Sequence, residues 1–193
     1  MACSTLLKKG IPRDCNNLPI SGTQDDLILL NFEEVIDLVR DATNNKEVTS
    51  ILRKAASKGV LVKGYDNSTV LRESLTGQTR LGATFTHELD FLAMDVSPET
   101  SQEIENLANG RVLAVQGTNN RTFKILGATA GLKMSAVAAD SSSEDTGGAY
   151  SITLQSTKEK GLADLLYVKT TPGGIYSYAD TKAAFDALLT AAA

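Results

Sequence analysis

The chain has no tryptophan, one histidine, two cysteines and only 5% aromatic residues. Few aromatics leave few flat platforms on which bases or sugars stack, and a lone histidine rules out a histidine-rich metal centre. The cysteines, Cys3 and Cys15, both fall in a poorly patterned leader. A bridge between them would constrain little of a fold, so two reduced thiols in a cytosolic compartment are the preferred reading. Long apolar runs are also missing. Stretches such as Leu27-Ile28-Leu29-Leu30 fall far short of the roughly 20 residues that span a bilayer, so no membrane partner is expected. Met1 to Gly10 holds two lysines with no apolar stretch behind them. That pattern lacks an export signal, and the chain is expected to be made and kept in a cytoplasm, or in a particle assembled there.

Basic charge is in deficit: 19 Lys and Arg against 23 Asp and Glu give a net charge of −4. With a pI near 5.1, the surface is not one built to hold phosphate backbones. What remains is ordinary globular material. The 193 residues, 42% of them hydrophobic, fit one domain with a sizeable core.

Asp26 to Phe32 reads as a short buried strand. Phe32, Val35, Ile36 and Val39 then fall at helical spacing behind Asn31, a candidate cap, which predicts a short helix or turn. Val60 to Tyr65 reads as a strand, followed by turn residues, with Val70 to Leu75 as its candidate partner. The strongest alternation runs from Thr79 to Val96. Leu81, Ala83, Phe85, His87, Leu89, Phe91 and Ala93 share one face, and Arg80, Thr84, Thr86, Glu88 and Asp90 share the other. A strand this long calls for a bulge or for a sheet that extends beyond an ordinary small barrel.

Ser97-Pro98-Glu99 opens a helix that Asn109-Gly110 closes. Strands follow: Arg111 to Gln116 and Arg121 to Leu126 as a hairpin around Gly117-Thr118-Asn119-Asn120, then half-buried strands around Leu132–Ala138 and Tyr150–Gln155, and a further strand within Leu162–Lys169. The polar link from Asp140 to Gly148 reads as a mobile loop, Thr171 to Gly174 as a tight turn, and Asp180 as the cap of a terminal helix. The expected fold is mainly β, an antiparallel sandwich or barrel with one short flanking helix and a C-terminal helix. Its divisions are an extended N-terminal arm at 1–25, a core at 26–169 with the helix at 97–109, and a turn and helix at 170–193.

Chemistry is sparse. His87 lies in phase with Phe85 and Leu89, where a core or interface histidine is the expected reading. Of the paired carboxylates, only Glu88 and Asp90 share a strand face, as a solvated surface or as a charged wall along a passage. Gly127-Ala128-Thr129-Ala130-Gly131 has no Gly-Lys-Ser/Thr after it, Gly147-Gly148 precedes a strand, and no Gly-x-Ser-x-Gly elbow occurs. The reading is of a chain with no catalytic residues, no cofactor and no metal, built for assembly.

From about Ser97 to Glu159 the chain resembles tail-tube subunits of tailed bacteriophages, especially virion structural proteins of phages of gut Bacteroidetes. The resemblance rests on Asn109-Gly110-Arg111-Val112, Phe123 to Gly127, Ala130-Gly131-Leu132, and Gly148 to Leu154 leading to Glu159-Lys160, in that order. At the amino terminus, Asp14 to Asn17 with Leu30-Asn31-Phe32 looks like the opening of the same group. The resemblance implies a sandwich of tail-tube type joined into hexameric rings that stack into a hollow tube in the virion tail. Its partners would be further copies, other tail proteins and double-stranded DNA in transit without specific binding. An inner hairpin formed by the strand near Val60–Tyr65 and the long strand would then line the channel with Thr84, Thr86, Glu88 and Asp90. Arg80 departs from such a wall. Two alternatives stay open: another particle component, such as a head decoration, a connector or the tube of a contractile injection or type VI system, and a small β-fold enzyme or ligand-binding module using His87 with Glu88 or Asp90.

Overall fold

Leu27 to Leu30 and Val112 to Val115 are apolar at every position because each stretch is a strand buried on both faces. Leu27, Leu29, Val112 and Ala114 turn to a second sheet, while Ile28, Leu30, Leu113 and Val115 turn to a layer that contains Phe185 and Leu188 near the C terminus. The result is three layers around two cores. The structure, a computed structural model, describes residues 20–64, 68–79, 82–139, 141–142, 148–169, 174 and 176–192.

Eleven strands and two α-helices are seen among these residues. The strands are β1 (Thr23–Asn31), β2 (Val35–Arg40), β3 (Glu47–Arg53), β4 (Val60–Lys63), β5 (Val70–Thr79), β6 (Gly82–Ala93), β7 (Val112–Thr118), β8 (Phe123–Leu126), β9 (Lys133–Ala139), β10 (Tyr150–Glu159) and β11 (Asp164–Leu166). The helices are α1 (Pro98–Asn109) and α2 (Tyr178–Asp186). Seven strands form one sheet in the order β2-β3-β11-β8-β7-β1-β4, and four form the other in the order β5-β6-β10-β9. All pairs are antiparallel except β3 with β11. The mainly β sandwich with a flanking and a C-terminal helix is thus the observed class.

The core between the sheets joins Leu27 and Leu29 to Leu89, Phe91, Ile152 and Leu154. On the far side of the larger sheet, Phe123 and Phe185 meet with ring centroids 4.8 Å apart. Each such fully buried side chain contributes about 1.5–3 kcal/mol of transfer free energy. Gly59 marks how closely the chain passes over this layer: a Cβ there would lie 2.6 Å from Cγ2 of Ile28, and its N–H donates to the Leu188 carbonyl at 2.7 Å. α1 begins where Ser97 accepts the Thr100 N–H at 3.3 Å, and it lays Ile104 and Leu107 on the sandwich.

Several local expectations are corrected. After a single 3₁₀ turn at Phe32–Glu34, the stretch read as helical is strand β2, and the Asn31 side chain makes no capping bond. Its buried residue is Leu38, while Ile36, assigned to the helical stripe, is 64% exposed. β-Branched side chains and a partner strand, β3, decide the conformation there. β4 pairs with β1, not with Val70–Leu75, and the latter belongs to β5, the hairpin partner of β6. The hairpin expected from Val60–Tyr65 and the long strand does not form, and the hairpin partner of the long strand is β5. The long strand spans 12 residues, and the expected irregularity falls in its partners, between Leu75 and Gly77 and between Ser156 and Glu159. β9 lies at a sheet edge with Ala136 and Ala138 exposed, so it is not half-buried. α2 is capped by Ser177, whose hydroxyl accepts the Asp180 N–H at 3.3 Å. β1 starts at Thr23, inside the stretch read as an arm. Residues 1–19, Arg80, most of the 140–148 link and 171–173 of the expected tight turn lie outside the described residues. Among the described residues no helix is long and apolar enough to cross a membrane.

Candidate functional site

Strand register builds the outer face of the four-stranded sheet. Pairing places Arg72 beside Glu88 and Glu88 beside Gln155, and in the next row Asp90 beside Thr153. The Arg72 guanidinium donates to Glu88 at 2.5 Å and also to Asp90. Thr153 donates its hydroxyl to Asp90 at 2.7 Å, and the Gln155 amide donates to Glu88 at 3.2 Å. The hydrogen bond to Glu88, then that to Asp90, raises the Arg72 pKa above its ordinary value. Thr86, buried among its neighbours, shares a hydrogen bond with the Thr76 hydroxyl. Thr84 is exposed and donates to the Gly77 carbonyl at 3.5 Å.

The four candidate wall residues therefore lie along one strand face, but only Glu88 and Asp90 share a partner. The sequence reading missed Arg72, Thr153 and Gln155. Strand pairing, which no local pattern supplies, brings them in. With Arg72 between two carboxylates, and Lys133 paired with Gln155 at the end of the row, this face is charge-balanced and not simply acidic.

The opposite, inner face of β6 carries a polar layer. His87 is 1% exposed. Its Nδ1 accepts the Gly127 N–H at 3.2 Å, which leaves the proton on Nε2, and Nε2 donates to the Gly161 carbonyl at 2.8 Å. Glu159, equally buried, accepts from Ser156 Oγ at 2.7 Å and from the Thr129 and Ala130 N–H groups at 2.8 and 3.1 Å. It fixes the turn between Gly127 and Gly131, both at positive φ. Glu73 binds Lys124 and accepts the Ala163 N–H at 2.7 Å. Burial pushes its carboxyl up, but Lys124, the Ala163 N–H and the charge of Lys124 together hold it below its ordinary value. A cavity of about 490 Å³ opens beside this layer, between Arg40, Lys46 and Asp164 on one side and His87 and Glu159 on the other. Asp164 is itself held by Arg40 at 2.6 Å and Lys46 at 2.9 Å.

This layer ties loops together. Both His87 nitrogens are taken by main-chain groups, and Ser156 lies beside His87 in register but donates to Glu159. Among the described residues no serine hydroxyl is thus poised on the imidazole, and the His87 reading as a core residue holds. His87 and the pair Glu88 and Asp90 point to opposite faces of β6, so the structure does not bring them into one site. Among the described residues no group of three His, Cys, Asp or Glu side chains is placed to hold a metal ion.

No protein-family model, no curated protein and no solved structure matches the chain.

Proposed function

We propose that this chain is a structural subunit of a phage-like tail tube, a self-assembling virion component and not an enzyme. The observation that carries the reading is the distal half of the β5–β6 hairpin. Gln78, Ala83 and Thr84 are exposed there on a ribbon that pairs only with itself among the described residues, and Leu75, also exposed, sits at its base opposite Phe85, which β10 still pairs through Glu159. An isolated two-stranded ribbon is at best marginally stable in water, and an exposed apolar residue on it is a contact in waiting. Neighbouring copies in a hexameric ring would cover it and join the four-stranded sheets into one lining.

In that assembly the polar face with Thr84, Thr86, Glu88 and Asp90 faces the channel. The physics favours such a wall. Arg72 is saturated by two carboxylates on its own sheet, so it offers no free cation to a passing phosphate. DNA then meets hydroxyls, amides and the closed Arg72 ion pairs, with Lys133 a cation at the edge of the face.

Electron microscopy of the concentrated protein, with sedimentation of the same sample, tests the reading. Rings or hollow tubes with sixfold averages are expected. A Leu75→Glu variant is expected to keep the monomer's thermal stability while losing those assemblies. Closed rings that are indifferent to Leu75→Glu, or a monomer at every concentration that stays one beside preformed tail fragments, would sink it.

A further inference from the structure

β4 is the last strand of the seven-stranded sheet, with β1 on one side and no strand among the described residues on the other. The Gly64 N–H donates to the Asp25 carbonyl at 3.1 Å, and the register runs from Asp26 opposite Lys63 to Leu29 opposite Val60. Antiparallel pairing alternates bonded and non-bonded residues. Val60, Val62 and Gly64 therefore direct their main-chain groups to β1, while Leu61 and Lys63 direct theirs outward.

The side chains of the same strand border a cleft of about 380 Å³ between β4 and α1. Its floor is Leu29, Phe91 and Ile152, and Ile104 and Leu107 form the α1 wall. Val60, on the β4 side, is 54% exposed. Leu27 and Leu29 on β1 and Val62 on β4 already belong to the apolar row facing that core. One more strand beside β4 would continue the row into the cleft at every second residue.

The rim has one sign of charge. Asp95, Glu99 and Glu103 border the cleft, and none is in an ion pair among the described residues. The Thr100 hydroxyl, then the Ser97 hydroxyl and N–H, hold the Asp95 carboxyl below its ordinary pKa. Glu99 and Glu103 are one helical turn apart on α1.

We infer that this cleft takes an extended strand of a partner protein, added edge to edge on β4, with apolar side chains at alternate positions and a lysine or arginine on the same face. Main-chain bonds to Leu61 and Lys63 supply register, the cleft selects the apolar side chains, and the α1 carboxylates select the cation. The inference goes beyond the tube reading and does not rest on it.

The test uses the full chain and a fluorescein-labelled seven-residue peptide. The peptide has lysine at both ends, valine and leucine at its third and fifth positions, and threonine elsewhere. Saturable anisotropy is expected, with slowed amide hydrogen exchange at Leu61 and Lys63. Binding is expected to fall about tenfold or more in a Glu99→Lys/Glu103→Lys variant and for a peptide with glutamate in place of lysine, given the modest worth of each exposed charge pair. Glu99 and Glu103 are both exposed on α1, and urea unfolding of the variant reads its fold separately from its binding. No saturable binding, equal binding of the glutamate peptide, or protection at β2, β5 or β9 instead would overturn the inference. Concentration-dependent protection of Leu61 and Lys63 before any peptide is added would also overturn it, because a second copy would then hold the edge.

Discussion

A fully buried histidine must satisfy two ring nitrogens, and His87 does so with main-chain groups of two loops, Gly127 and Gly161. Replacing it with leucine leaves both groups without a partner in the interior. The expected loss for His87→Leu is about 2–4 kcal/mol, read from urea unfolding, since each orphaned buried group costs about 1–3 kcal/mol. A loss under about 0.5 kcal/mol would mean water reaches those groups. Glu73 makes a prediction in pH. Its carboxyl lies below its ordinary 4.5 in the folded chain, so its contribution is present above that value and lost as pH falls below it. Glu73→Gln is therefore expected to flatten the acid limb of the stability curve below about pH 4.5. An unchanged slope would assign the acid sensitivity to other carboxylates.

At the scale of elements, a periodic signal was legible where one face is wet and one is dry. β6 and β10 alternate, and their boundaries came within a few residues. β2 was misread because its apolar residues also fit a helical stripe over a short window, and only pairing with β3 separates the two. β3 itself went unrecognised: its buried Val48 and Ile51 are too few and unevenly spaced to mark it. The terminal helix was legible, its cap was not. Ser177 and Asp180 are both acceptable first-turn residues, and the chain direction before Tyr178 decides which one caps. Ser177→Ala is expected to cost about 1 kcal/mol and Asp180→Ala about half that, since only a dipole interaction is lost. Urea midpoints for the two variants check the order, and the reverse order would restore Asp180 as the cap.

For the molecule as a whole, the outer sheet face acts as a unit. Glu88→Gln with Asp90→Asn removes both carboxylate charges that offset Arg72, leaving the guanidinium and Lys133 uncompensated on this face. The double variant is expected to retain duplex DNA at low salt and release it as salt rises, while the parent chain passes it. A gel-shift series across salt concentrations reads this. Equal retention by both chains would show that pairing on this face does not mask Arg72.

Composition and patterning by themselves determined the class. Four-residue apolar runs, two-residue alternation and capped ends lead to a mainly β chain with two helices, because these signals are local and each residue's neighbours carry them. The same locality fixed His87 on the apolar face of its strand and Glu88 and Asp90 on the other. Only the tertiary structure decided the partners: β4 beside β1, β5 beside β6, Arg72 between Glu88 and Asp90, Lys124 on Glu73 and the loop of Gly161 on His87. Those contacts join residues up to 74 positions apart, as with His87 and Gly161. Strand order and register are set by burial across the whole sheet, a quantity that belongs to no single segment.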